Sequence, residues 1–380
     1  MPRLRLRCDR RCLRALAAQA LLLAAVAGVL AWLAGNAGAK LAQQGIASGF
    51  GFLGKEAAFA ISEHPIAYSP ADSYARALTV GVLNTLKVAL PALLFATVLG
   101  TLAGIAQLGR NWLAARLARG YVEAVRNVPL LLQLFFWYGL LTELLPLPRQ
   151  AWSPLPGVFL SRRGLMLPAP AGEGWGTLLA AAALGLAAAL ALRAAYGRVR
   201  RGGGALAALL LAPPLAAWLA TAGTRAWSVP ALQGFNYVGG TTLSPEFAAL
   251  LLGLTLYAGS YIAEIVRAGI LAVPRGQVEA GLALGLSRAQ VLRLIVLPQA
   301  LRAIVPPLAS QYLSLVKNSS LAVAIGYPDV VSISNTAINQ TGQAVEGIAI
   351  IMAAYLSVSL AVAALMNLYN RRVALRGATR

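Results

Sequence analysis

The chain has 380 residues, 59% of them hydrophobic and only 12% charged, where an ordinary soluble domain carries roughly 25% charged residues. With a mean hydropathy of +0.70, this composition excludes a conventional cytosolic protein and points to one polytopic membrane domain. The 32 Lys and Arg against 12 Asp and Glu give a net charge of +20, yet they sit in short gaps between apolar runs, without the basic stripe interleaved with aromatics that a nucleic-acid groove needs, so the partner they imply is the lipid bilayer and not nucleic acid.

A spanning helix needs about 20 mostly apolar residues. Eight runs qualify in chain order: 15–35, 80–107, 124–146, 176–197, 205–222, 245–271, 304–327 and 346–369. The predicted fold class is therefore an all-α polytopic membrane protein with about eight transmembrane helices. The first run could instead be a cleaved signal peptide, with Ala37-Gly38-Ala39 as an A-x-A-like site. Its apolar stretch exceeds the usual 7–15 residues of a signal h-region, which favours a retained anchor.

Orientation follows from Lys and Arg in the short loops. Arg3, Arg5, Arg7, Arg10, Arg11 and Arg14 keep the N-terminus in the cytoplasm. Eight spans then place the basic gaps 108–123 (Arg110, Arg116, Arg119), 198–204 (Arg198, Arg200, Arg201) and 272–303 on the same side. The tail with Arg371, Arg372, Arg376 and Arg380 joins them, so both termini are predicted to be cytoplasmic. The outer segments 36–79, 147–175, 223–244 and 328–345 are rich in Gly, Pro and Ser, with Lys40, Lys55, Arg149, Arg162, Arg163 and Arg225 as exceptions to the asymmetry.

Enzyme chemistry has little to work with. The single histidine, His64, leaves no imidazole for a triad within the spans, and no G-x-x-x-x-G-K-[ST] loop occurs. Cys8 and Cys12 cannot build a four-ligand metal site alone. No catalytic residue, metal site or cofactor is assigned to this chain; if ATP powers it, another subunit hydrolyses the ATP.

Residues 274–302, PRGQVEAGLALGLSRAQVLRLIVLPQALR, form the longest inner loop and do not look disordered. Good helix formers run from Glu279 to Leu284, Gly285 can take the left-handed conformation that ends a helix, and Ser287 is a fair N-cap for the next stretch. Leu292, Ile295 and Val296 then predict an apolar face before Pro298. Helix, tight turn and helix make a rigid plug that can fill a partner's groove and transmit a push.

The spacing Glu279-Ala280, Gly285, Ile295, Leu297-Pro298 resembles the EAA-x3-G-x9-I-x-L-P loop of bacterial ABC importer permeases, with Gly281 in place of the usual third-position Ala. Glu123–Tyr138 (EAVRNVPLLLQLFFWY), Tyr261–Glu279 and Lys317-Asn318-Ser319-Ser320-Leu321 are similar to the polar amino-acid permeases. GIASGFGFL (45–53), ISEHPIAYSP (61–70) and LQGFNYVGG (232–240) resemble the long subunit of general L-amino-acid permeases. The resemblance covers about 75–145 and 231–370. It implies a type I importer core of five helices, with an insertion at about 147–230, a periplasmic segment 36–79 after the first helix, and a location in the bacterial inner membrane. It also implies a pore shared with a second permease subunit, in most cases a different chain. Two cytoplasmic ABC ATPases would dock on the coupling loop of Glu279, Ala280, Gly281, Gly285, Ile295, Leu297 and Pro298, and a periplasmic binding protein would deliver L-amino acids. A secondary transporter or channel without an ATPase is the alternative, but the broken-helix repeats that would support it are not evident.

Polar groups inside a bilayer are expensive and default to functional hypotheses. Lys317, Asn318, Ser319 and Ser320 lie well within the seventh run, and Asn84 and Lys87 near the start of the second. They are candidates for the translocation pathway, against a bland role in interhelical hydrogen bonding or, for Lys87, snorkelling to the interface. Glu264 and Arg267, three residues apart, share one helical face. They form either a local ion pair or, by resemblance, a gating or loop-supporting pair. Glu123, Arg126 and Asn127 are expected to cap the start of the third span, with Pro129 a tolerated kink.

Overall fold

The computed structural model describes residues 10–43, 49–171, 173–196, 203–221 and 226–373. Arg3, Arg5, Arg7, Cys8, the segment 45–48, the basic gap 197–202, Arg225, Arg376 and Arg380 lie outside them. In chain order the helices are α1 (Arg10–Gln43), α2 (Tyr74–Leu108), α3 (Trp112–Arg126) and α4 (Leu130–Glu143). Strands β1 (Trp152–Leu155), β2 (Val158–Ser161), β3 (Gly164–Leu167) and β4 (Ala169–Ala171) precede the helix pair α5 (Glu173–Tyr196) and α6 (Gly203–Ala220). Four more strands follow: β5 (Ala226–Ser228), β6 (Ala231–Gln233), β7 (Asn236–Val238) and β8 (Thr241–Leu243). Then come α7 (Pro245–Leu271), α8 (Arg275–Ala283), α9 (Arg288–Val291), α10 (Leu297–Asn318), α11 (Val330–Thr341) and α12 (Ala344–Val373).

Five described helical runs are long and apolar enough to cross a membrane: Ala17–Lys40, Tyr74–Leu108, Pro245–Leu271, Arg288–Ile325 and Ala344–Asn370. The pair α3 and α4, bent by 104°, makes a sixth if it counts as one span. Among the described residues five or six spans thus meet the criterion, against the eight expected. The expected runs 176–197 and 205–222 coincide with α5 and α6, but the described apolar stretches there, Trp175–Ala189 and Leu210–Ala220, fall short of a spanning length.

The third predicted span is also corrected. The supposed gap 108–123 is mostly helix, because the Asn111 side chain accepts from the backbone N–H of Leu113 and Ala114 and starts α3. Asn127 ends that helix, and Pro129, which has no N–H and disfavours helix in the residue before it, is the N-cap of α4 instead of a kink within a span. Two further boundaries move: α1 continues to Gln43 and α2 begins at Tyr74. Both shorten the outer segment expected at 36–79.

The chain forms two compact units, 1–87 with 328–369, and 88–327 with 370–380. In the first, Phe52, Ala57, Ile61, Tyr74, Ala77 and Leu78 pack with Ile333 and Ala337. The backbone N–H of Gly49 donates to Glu346 at 2.5 Å, and the Tyr74 hydroxyl donates to Gln340 at 2.7 Å. In the second, the 88–96 part of α2 packs with α4, α7 and α10 through Val88, Ala92, Leu134, Leu250, Ile262 and Ile304.

The insertion is not purely helical. Four strands form an antiparallel sheet in the order β1-β2-β3-β8, and Leu165↔Leu243 to Leu167↔Thr241 pair the chain entering the insertion with the chain leaving it. Gly164, at φ 107°, lies against the Leu243 carbonyl so closely that no side chain fits. Trp175 stacks edge-on against Trp227 at 5.0 Å and Trp218 at 6.1 Å, tying α5, β5 and α6 together.

Candidate coupling loop and charged cleft

The 274–302 segment folds as helix, turn and helix, and its backbone says why. Leu286 N–H reaches the Gly281 carbonyl at 3.2 Å and Gly285 N–H the Leu282 carbonyl at 3.0 Å, around Gly285 at φ 79°. This is the left-handed cap that ends α8, a conformation most residues resist. Ser287 and Gln290 then form a reciprocal capping box, at 3.3 and 2.8 Å, that starts α9.

Beyond α9 the helix widens over Leu292–Val296 before Pro298, whose missing N–H and ring crowd the preceding turn. It then continues to Ile325, so the second half of the loop, 288–302, is helical and runs directly into α10. Val291 and Val296 are buried, whereas Leu292, expected on the apolar face, is exposed. At the turn, Leu284 is 82% exposed and Leu282 is also exposed, a firm tip with apolar side chains turned outward.

Gly281 has a reason the motif alone did not reveal. A Cβ there would sit 2.6 Å from Ile295 Cδ1 and 3.1 Å from Val291 Cγ2, so two motif positions, Gly281 and Ile295, fit because one has no side chain. Glu279 and Ala280 lie on α8, and Leu297 and Pro298 open α10.

The expected pathway residues occupy different settings. Lys317 is exposed and Asn318 half-buried at the end of α10. Ser319 is fully buried and donates to the Val316 carbonyl at 2.7 Å, while Ser320 donates to that of Lys317 at 2.7 Å. Both hydroxyls are thus spent on their own helix.

Asn84 lies apart from the Lys317 group. It is fully buried, and its amide donates to the carbonyls of Glu63 at 2.8 Å and Pro328 at 2.9 Å, clamping two chain segments. Lys87 likewise pairs with Glu63 at 2.8 Å.

Glu264 and Arg267 form a bidentate ion pair, with Arg267 Nε 3.1 and 3.2 Å from the two carboxylate oxygens. They line a cleft of about 610 Å³ between α3 and α7, together with Gln107, Arg119, Glu123 and Arg126. The Arg126 guanidinium lies 4.8 Å from the centre of the Tyr261 ring, and Tyr261 meets the Tyr257 hydroxyl at 3.2 Å. Glu123, Arg126 and Asn127 therefore serve the end of α3 and this cleft, not the start of a third span. The cleft was legible only in part: Arg119, Glu123 and Arg126 recur at helical spacing, but nothing in the sequence pairs them with Tyr261. Among the described residues no group of three His, Cys, Asp or Glu side chains comes together to hold a metal.

Residues 96–375 match the model of the family described as binding-protein-dependent transport system inner membrane component. The chain belongs to this family. It is an inner-membrane, multi-pass component of such a system, and its family is one of permease subunits. Three relatives extend the likeness over nearly the whole chain. A putative amino-acid ABC transporter permease of Escherichia coli, YhdX, is 48% identical, covering 94% of this chain and 93% of its own. The general L-amino acid transport system permease AapQ of Rhizobium johnstonii is 43% identical over 94% and 91%. The glutamate/glutamine/aspartate/asparagine transport system permease BztB of Rhodobacter capsulatus is 37% identical over 91% and 90%.

Proposed function

We propose that the chain is the pore-forming permease subunit of an ATP-driven L-amino-acid importer. A periplasmic binding protein delivers the substrate, a second permease subunit of different sequence completes the pore, and a dimer of cytoplasmic ATPases drives the cycle. Both termini and the 274–302 loop lie on the cytoplasmic side, in keeping with their Arg content.

The observation that carries this reading is the capped turn of 281–290, which holds Leu282 and Leu284 outward on a rigid support. A rigid tip of this kind transmits the closure of an ATPase to α10 as a rigid-body movement. Lys317 and Asn318, at the far end of the same helix, line the pathway, where an exposed cation in a membrane span finds either a partner subunit or water. Names of relatives support amino acids as the substrate class.

The test is affinity capture of the tagged chain, extracted in mild detergent from its host, with every retained chain identified. An ATPase, a second permease and a periplasmic amino-acid-binding protein are the expected companions. A chain recovered without an ATPase and still moving amino acids in vesicles would speak for a secondary transporter.

A further inference from the structure

The cleft between α3 and α7 holds more charge than its ion pair uses. Arg267 is committed to Glu264. Among the described residues Glu123 and Arg126 enter no ion pair, although both line the cleft. The Arg126 guanidinium lies over the Tyr261 ring, 4.8 Å from its centre, a contact that leaves N–H groups able to donate elsewhere. Gln107, near the end of α2, also lines the cleft and has a buried Nε2 with no acceptor, a state that is costly unless something fills it.

A second cavity of about 360 Å³ shares Arg126, Tyr261 and Glu264 with the first and is otherwise lined by apolar groups, among them Ile265, Ala268 and Pro307. The combined space thus offers an arginine and an amide donor, a carboxylate across the same helical face, and an apolar recess. These match a molecule that carries a carboxylate, an ammonium and a side chain on one carbon.

We infer that this cleft is a binding site for a free α-amino acid, separate from the Lys317 cluster. The ligand carboxylate pairs with Arg126 and accepts from Gln107, its ammonium pairs with Glu123, and its side chain enters the recess beside Ile265 and Pro307. A simple anion would satisfy Arg126 but bring no cation to Glu123, which would then rely on Arg119, the remaining arginine of the lining. The inference rests on the importer reading only for the class of solute that reaches the site.

The test uses the complete transporter in lipid nanodiscs without the binding protein, with equilibrium binding of a radiolabelled L-amino-acid mixture followed by competition with single compounds. Saturable binding is expected, displaced by free amino acids but not by N-acetyl-amino acids or inorganic phosphate. Arg126→Gln and the near-isosteric Glu123→Gln should each weaken it at least tenfold, with Arg126→Lys in between. Thermal stability of each variant separates lost binding from lost folding. No binding by the wild type, unchanged binding in both variants, displacement by phosphate, or a phospholipid that co-purifies with the wild type and is lost from Arg126→Gln would each overturn the inference. ATP-driven uptake by the same complex with its binding protein is measured in parallel. Uptake without Arg126-dependent binding removes this inference and leaves the importer reading standing.

Discussion

The backbones of Gly100 in α2 and Gly259 in α7 touch: a Cβ built on Gly100 would lie 2.6 Å from the Gly259 carbonyl oxygen and 2.6 Å from Ile262 Cβ. One turn on, Gly104 stands in the same relation to the Ala263 carbonyl, also at 2.6 Å. Small residues four apart on both helices let the two backbones approach, which is how membrane helices pack when lipid supplies no hydrophobic drive.

Gly100→Val should therefore lower the thermal midpoint of the purified chain, at a cost of about 1–3 kcal/mol or more from overpacking. Gly120, in α3, has open space around it. Gly120→Ala should leave the midpoint unchanged or raise it, through a helix-propensity gain of roughly 0.5–1 kcal/mol. Equal effects of the two substitutions in a melting assay would refute the close crossing.

Gly281 and Gly285 should fail for different reasons. At Gly285 nothing stands within 4 Å, so substitution meets only the left-handed backbone at φ 79°, and Gly285→Val should cost about 1–2 kcal/mol while Gly285→Asn costs less. At Gly281 the obstacle is Ile295, so Ile295→Val should rescue Gly281→Ala but do nothing for Gly285→Val. Limited proteolysis of the loop, read with ATPase capture, checks both. An equal rescue of the two sites would contradict the packing difference.

How far the sequence carried the fold depends on the range of the forces involved. The turn at Gly285-Leu286-Ser287 was legible because its chemistry is local: a residue free to adopt positive φ, followed by an N-cap. Most of the described residues in the apolar runs fall on helices for the same reason. The break at Asn127–Pro129 was misjudged because hydropathy continues across it while backbone geometry does not. The short strands around Leu165 and Leu243 are three or four residues long, too brief to show alternation, and their pairing spans the whole insertion. The partners of Asn84, the Glu63 and Pro328 carbonyls, were not legible because tertiary structure sets them. Arg126 on Tyr261 was hidden for the same reason.

Asp329 caps α11, accepting from the Ser332 N–H at 2.8 Å and from the Tyr355 hydroxyl at 3.2 Å. Burial pushes its pKa up from 3.8 to about 6, against these hydrogen bonds, which lower it. The folded state then binds the proton more tightly than the unfolded one. Stability is greatest below the unfolded value, falls as pH rises through the window from about 4 to about 6, and is flat above it, a loss on the order of 2–3 kcal/mol. Asp329→Asn keeps the cap and removes the titration. Its melting temperature should exceed the wild type's at pH 7.5 and vary less between pH 4.5 and 7.5; an unchanged pH profile would count against the assignment.

The Asn84 amide supplies donors to two carbonyls, those of Glu63 and Pro328. Asn84→Leu keeps the volume but strands both acceptors, at about 1–3 kcal/mol each. Hydrogen exchange should rise around 60–66 and 326–332, and stability should fall by that order. A variant that is stable yet impaired in transport would instead return Asn84 to the pathway.

The most direct measurement is amino-acid uptake into proteoliposomes holding this chain with its companion permease, with the ATPase and binding protein added or left out. Uptake should require ATP, the ATPase and the binding protein together, and should be lost with Gly285→Val. Uptake at an undiminished rate without the ATPase, driven by an ion gradient, would contradict the assignment of this chain as the pore of an ATP-driven importer.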